Sequence, residues 1–302
     1  MKFTKPALSL DQQVELLIAR GMEGDRKHIR RRLASVNYYR LSAYWHTFRT
    51  SNDHFRPGTH FETVWERYVF DRELRLLVMD ALERIEVAVR ARLAYEHATQ
   101  GDPFSYESDP AALFAHDAAK RTDFFKRLRD DLDRSHEPFV KHFKRKYGDV
   151  HGWPPVWVTA EVLSFGGILS FYRGSPRGIQ RAVADHFGVA DVVFESWLLS
   201  LNVVRNICAH HGRLWNREIG LSPKIPRSPE WHVPVRVAND RAFAVLTILA
   251  HCLHHIAPGS GWARRFEALL VKYPRIPTSQ MGIPVNWRDC PVWKRMLVVN
   301  GS

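Results

Sequence analysis

The sequence predicts an all-α fold, on three observations. Apolar residues recur at three- and four-residue spacing, most clearly from Phe61 to His97, where Val64, Tyr68, Leu74, Leu77, Ala81, Ile85, Ala88 and Val89 form one stripe. Helix-opening signals precede such runs: Ser9-x-x-Gln12 is a capping box, and Asp25 is an N-cap residue. Clusters of glycine and proline punctuate the pattern where helices must stop.

Taken in order, the first helix follows Ser9 and breaks at Gly21 and Gly24; a second runs from Asp25 through Tyr39 or beyond. Pro57-Gly58-Thr59 turns the chain into the long run from Phe61, either one helix of unusual length or two joined near Asp71. Gly101-Asp102-Pro103 ends it. Residues 103–116 read as loop or short turns, and 117–146 as a charged helical pair interrupted around Pro138. A helix is expected near 157–173, a break at Gly174-Ser175-Pro176, and a short helix near 177–187. The segment from Glu195 is a mostly apolar, buried helix; Gly212 supplies the left-handed residue that stops it. A proline-spaced loop covers 221–234, a helix 239–256, and the Pro-, Gly- and Trp-rich tail is expected to be irregular. With no repeat, low-complexity linker or Gly-rich phosphate loop, this is one structural unit. An amino-terminal region (1–60) packs on a helical core (61–256), and an irregular tail (257–302) follows.

The chain has 302 residues, is 45% hydrophobic, and is therefore long enough for a substantial core. A net charge of +12 points to a polyanionic partner, nucleic acid before a membrane surface. Cys208, Cys252 and Cys290 make no even disulfide framework, which favours a reducing compartment. The Met1–Pro6 start lacks the apolar run of a signal peptide, and no apolar stretch reaches the ~20 residues that span a bilayer. A cytoplasmic protein with no membrane partner is expected.

The densest chemistry lies in Arg205-Asn206-Ile207-Cys208-Ala209-His210-His211-Gly212-Arg213-Leu214-Trp215-Asn216-Arg217. A permanent cation, an amide and two imidazoles within two turns suit binding a phosphodiester and moving protons around it. On a regular helix Asn206 and His210 lie about 40° apart, but Arg205 and His210 about 140°. Either the helix unwinds near Gly212, or a second copy of the motif completes the site. In the last turn, unpaired carbonyls favour the protonated forms of His210 and His211.

Arginine followed by histidine after four to six residues also occurs at Arg40/His46, Arg92/His97 and elsewhere, as 16 histidines make unavoidable. Asn206, the apolar helix leading in and the Arg-Leu-Trp-Asn-Arg run leading out distinguish Arg205/His210. With these, the chain resembles the abortive-infection (Abi) family of bacterial defence proteins, AbiD/AbiF-like, in the wider HEPN superfamily. The same resemblance extends in order through Asn37-Tyr38-Tyr39-Arg40-Leu41-Ser42-Ala43-Tyr44-Trp45, Tyr68-Val69-Phe70-Asp71-Arg72-Glu73-Leu74-Arg75 and Arg84-Ile85-Glu86. It continues through Phe139-Val140-Lys141-His142-Phe143, Lys146-Tyr147, Pro155-Val156-Trp157 and Leu163-Ser164-Phe165-Gly166 to Met281-Gly282-Ile283-Pro284 and Trp287.

The resemblance implies a HEPN-like helical bundle with amino- and carboxy-terminal embellishments. Its Arg-x4-6-His motif would cleave RNA without a metal or other cofactor, usually in a homodimer with a composite active site. By position Arg205, Asn206 and His210 match the motif; His211 also falls within its spacing, so either histidine could carry the proton. An inhibitory small RNA or antitoxin is a further implied partner.

Other candidates stand beside bland alternatives. Arg26-Lys27 and Arg30-Arg31-Arg32, near Tyr38 and Tyr39, are either a phosphate-contacting helix or a solvated face. Lys144 and Arg145 sit in a second basic-aromatic run, 139–147, whose phenylalanines are expected in the core. His251, His254 and His255, around Cys252, have metal-ligand spacing but no accompanying carboxylate, so no metal site is expected. Asp71, Arg72, Glu73, Arg75, Arg84 and Glu86 read as a structural ion-pair ladder. Ser164 lacks the glycine of a nucleophile elbow and reads as packing.

The leading expectation is thus a metal-independent endoribonuclease of an abortive-infection or toxin-type defence system. Arg205, Asn206, His210 and His211 would be catalytic; Arg213, Arg217, Arg30, Arg31, Lys144 and Arg145 would bind RNA. The alternative is a non-catalytic RNA-binding scaffold of a defence ribonucleoprotein, and a His/Cys metallohydrolase is a distant third.

Overall fold

Helix α1 (Leu10–Ala19) opens on the expected capping box. Ser9 accepts from the Gln12 amide, and the Gln12 side chain accepts from the Ser9 amide. Helix α2 (Arg26–Val36) opens with the Asp25 carboxylate accepting from His28 N at 2.7 Å. It does not continue through Tyr39. Asn37 takes a positive φ of 65°, which ends α2, and its side chain accepts from Tyr39 N to open α3 (Tyr38–Trp45). Asparagine tolerates this backbone better than most residues because its short side chain bonds locally.

The computed structural model describes Lys2, residues 6–50 and residues 52–298. Met1, Phe3, Thr4 and Lys5, part of the start inspected for a signal-peptide run, lie outside the described residues, as do tail residues 299–302. The described residues are all-α; their only β-type pairing is two isolated bridges, Glu23 with His60 and Arg49 with Phe55. They group into two units, Met1–Arg75 with Ala268–Ile276, and Leu76–Glu267 with Pro277–Ser302.

The long run is a single helix, α4 (Phe61–Gln100), whose residues up to Arg75 belong to the first unit. In that unit Asp71 is fully buried; Tyr44 Oη donates to Asp71 Oδ2 at 2.6 Å, and Arg75 pairs with the same oxygen. Glu73 accepts from Lys272 and Tyr273, so part of the expected ladder reaches across the fold rather than along the helix.

In the second unit Arg84–Asp80, Arg90–Glu86 and Arg92–Glu96 are i,i+4 pairs along α4. The short α5 (Ser105–Ser108) precedes α6 (Ala118–Arg134) and α7 (Pro138–Tyr147), the charged pair interrupted at Pro138. The helix expected over 157–173 is two: α8 (Val156–Val162) and α9 (Phe165–Gly174). Extended backbone at Leu163 and Ser164 separates them, and the Ser164 hydroxyl caps α9 by accepting from Gly167 N at 3.2 Å. Ser164 is thus a helix cap.

Helix α10 (Arg177–His186) leads to α11 (Asp191–Ala209), which packs on α9, α10 and α12 (Ala242–Ile256). Its 19 residues, with mean hydropathy 1.2, pass by length and composition alone for a membrane-crossing helix, a test that a core helix also passes. Here Phe194, Trp197, Leu198, Leu201 and Val204 face the protein interior.

The tail from Pro258 is largely helical, not irregular: α13 (Trp262–Lys272) and α14 (Pro291–Val298) are joined by two short 3-10 turns. Its tryptophans organise it. Trp262, Trp287 and Trp293 are buried, Trp262 Nε1 donates to Leu77 O, and Trp293 Nε1 to Thr247 Oγ1. Burying rings of this size outweighs the local cost of Pro and Gly.

Candidate active site

Helix α11 delivers the motif to its own carboxy-terminal end. The last regular bond to the motif is His210 N to Asn206 O, at 3.0 Å. His210 is the cap, and His211, not Gly212, takes the left-handed conformation, with φ 57°. His211 N bonds Cys208 O at 3.0 Å and Gly212 N bonds Ile207 O at 2.7 Å, the two bonds of a Schellman motif. Gly212 is needed for closeness instead: a Cβ there would lie 3.2 Å from Ile207 O and from its side chain.

This stop exposes the motif. Asn206, His210 and His211 are exposed, whereas Cys208 beneath them is buried. Asn206 and His210 project from one face, as four-residue spacing requires. Arg205 starts on another face, but its guanidinium Nη1 reaches Asn206 Oδ1 at 3.5 Å, with Nε buried and unbonded. With Oδ1 turned to the arginine, Asn206 Nδ2 is left to donate outward.

The chain after the motif folds back on it. Leu214 and Trp215 are buried and pin the loop, and Ile219 N bonds Asp240 O. That places Arg217 Nη1 3.4 Å from Arg213 O and 3.6 Å from where a Gly212 Cβ would stand. Residues 205–217 carry three arginines and two histidines with no carboxylate, and the nearby Glu218 pairs with Arg241. The arrangement is an exposed cationic surface with imidazoles at its centre.

Asn202, one turn before Asn206, lies on the face that Asn206 and His210 share, and the sequence reading did not single it out. A Cβ on Gly166 would lie 3.8 Å from Asn202 Oδ1, so α9 crosses α11 closely there. Arg173 of α9 pairs with Glu195 of α11 at 2.9 Å, and both contacts fit one antiparallel register. That register brings the amino-terminal end of α9, with its partial positive charge, to the level of Val204 and Arg205. The missed signal was the stripe Asn202, Asn206, His210 on an otherwise apolar helix.

The remaining candidates are elsewhere. Arg30 and Arg31 belong to the first unit; Arg30 Nε pairs with Asp11 at 2.7 Å, and Arg31 touches the His28 ring. Lys144 and Arg145 are on α7; Lys144 Nζ is held by Leu132 O and Asp133, both at 3.0 Å, while Arg145 is exposed. His251 is a core residue, its Nε2 on Phe187 O and its Nδ1 on Arg295. Burial, reinforced by neighbouring cations, pushes its pKa down to about 3. The cysteines make no disulfide among the described residues, and all three are buried.

Residues 31–216 match a family model described as Abi-like protein, a span that contains the motif through Asn216. Comparison with curated proteins and with solved structures gave no match.

Proposed function

Because the chain belongs to the Abi-like protein family, we propose that it acts in abortive infection, arresting a phage-infected bacterium by cutting RNA in the cytoplasm. What carries this reading is the exposed Asn206–His210 face with the Arg205 guanidinium drawn onto it. The sequence resemblance to HEPN ribonucleases supports it, as does the carboxylate-free cationic surround.

The chemistry is transesterification followed by release. His210, or His211 beside it, accepts the proton of a ribose 2′-OH, and the 2′-oxygen attacks the adjacent phosphorus. Arg205 stabilises the added negative charge on the pentacoordinate phosphorus, and Asn206 Nδ2 donates to a non-bridging oxygen. The bond from phosphorus to the 5′-oxygen then breaks. That oxygen takes a proton from the other histidine or from the same motif of a second copy, in a homodimer with a composite site. Arg213 and Arg217 hold flanking phosphates. General acid, general base and cation are all protein groups, so the reaction needs no metal.

The test incubates wild type, Arg205→Ala and His210→Ala with total bacterial RNA in EDTA. Cleavage by wild type alone supports the assignment. RNA retained uncut by all three would replace the enzyme with a binding scaffold.

A further inference from the structure

Helix α7 does not bury its rings. Phe139 is 38% exposed and Tyr147 42%, contrary to the expectation that this run's phenylalanines belong to the core. With Phe143 they line a surface pocket of about 700 Å³, whose other wall includes Trp157 of α8, itself 49% exposed. One side is a preformed stack: the Phe104 and His151 rings lie 4.4 Å apart and 5° from parallel. The frame is rigid, since Val156 N bonds Pro103 O and Tyr106 Oη bonds both Pro154 O and Thr159 Oγ1.

The α7 wall of the pocket is one-sided in charge, while Glu161 follows Trp157 by one turn on α8 and pairs with Arg90 at 3.7 Å. Helix α7 carries Lys141, Lys144, Arg145 and Lys146 and no carboxylate. Lys144 is committed to α6, but Lys146 Nζ sits 5.2 Å from the Tyr147 ring centre, on the pocket face. Arg145 lies about 20° around the helix from pocket-lining Pro138. Flat apolar walls flanked by cations match a base with a phosphate on each side, the pairing that single-strand binders use.

We propose that this pocket is an RNA subsite, separate from the motif on α11, which stacks an unpaired base of single-stranded RNA while Arg145 and Lys146 hold the neighbouring phosphates. The inference rests on RNA being the substrate, but not on cleavage. The subsite would hold a strand whose cut bond lies at the motif, so the pocket selects unpaired over duplex RNA.

The probe is a short 2′-O-methyl oligoribonucleotide, which binds but lacks the attacking hydroxyl, used with and without abasic positions. Affinity is measured by fluorescence anisotropy for full-length wild type, Trp157→Ala, Trp157→Phe and Phe139→Ala. The expected result is at least about fivefold weaker binding for each alanine variant, recovery in Trp157→Phe, and no difference between proteins on the abasic probe. Arg145→Ala should flatten the salt dependence of binding. Unchanged affinity in both alanine variants with unaltered thermal unfolding would overturn the subsite. So would binding to phosphatidylserine vesicles with no binding to the oligonucleotide. Base-dependent binding without any cleavage of ordinary RNA would sink the ribonuclease reading and leave the subsite standing.

Discussion

The Arg205 guanidinium rests against the Asn206 amide, Nη1 to Oδ1 at 3.5 Å, although neighbouring residues on a helix point about 100° apart. The contact moves the cation toward the face that His210 shares with Asn206. Asn206→Ala should therefore release Arg205 and remove a donor, lowering cleavage about 10²-fold. Arg205→Lys, which keeps the charge but loses the planar fork, should also fall well below wild type. Single-turnover rates on one RNA check both; wild-type rates in Asn206→Ala would exclude the amide from the site.

His211 holds a left-handed backbone, which costs an L-residue roughly 1 kcal/mol that glycine avoids. His211→Gly and His211→Ala delete the same functional group, so their difference isolates the backbone. Glycine should be the more stable by about 1 kcal/mol in denaturant unfolding. If His210 is the base, both variants should also cut faster than His210→Ala.

Much of this was legible in the sequence, and the failures have physical causes. Ser9, Asp25 and the apolar stripe from Phe61 announced α1, α2 and α4 because caps and periodicity act locally. The breaks at Asn37 and Ser164 were missed, since each residue is compatible with a helix and acts as a cap only through its own backbone angles. The ordered tail was misread from its Pro and Gly content. Its fold depends on Trp262 meeting α4, Trp293 meeting α12 and Trp287 packing on Trp293, a long-range fact that composition hides. The motif was legible, but Asn202 needed the closeness of Gly166, and the α7 pocket needed Phe104, Phe139 and Trp157 brought together.

Asp71 is buried against Tyr44 and Arg75. Asp71→Ala removes the carboxylate that balances the buried Arg75 charge and should destabilise the first unit by about 3–5 kcal/mol. Tyr44→Phe removes the hydrogen bond donated to the Asp71 carboxylate and the one accepted from Arg75, and should cost about 1.5–3 kcal/mol. Hydrogen exchange of α3 and α4 reports this directly; protection unchanged in Asp71→Ala would show the trio to be dispensable.

Burial pushes the pKa of His97 down to about 4 and that of His251 to about 3, from 6.5. Both are neutral in the fold, His97 on Ser175 Oγ and His251 on Phe187 O. The unfolded chain takes up these protons first, so their contribution is complete above pH 6.5 and is lost as pH falls toward the folded values. Each removes up to about 1.4 kcal/mol per pH unit. Unfolding free energies at several pH values should drop steeply below 6.5, and less steeply in His97→Gln. Equal slopes would assign the acid loss to other groups.

Product ends test the central claim most directly. After incubation of one defined single-stranded RNA with wild type in EDTA, fragment ends are identified by mass spectrometry. The account predicts a 2′,3′-cyclic phosphate or 3′-phosphate on one fragment and a 5′-hydroxyl on the other, absent with His210→Ala. Fragments carrying 5′-phosphates would contradict attack by the 2′-OH and the roles given to Arg205 and His210.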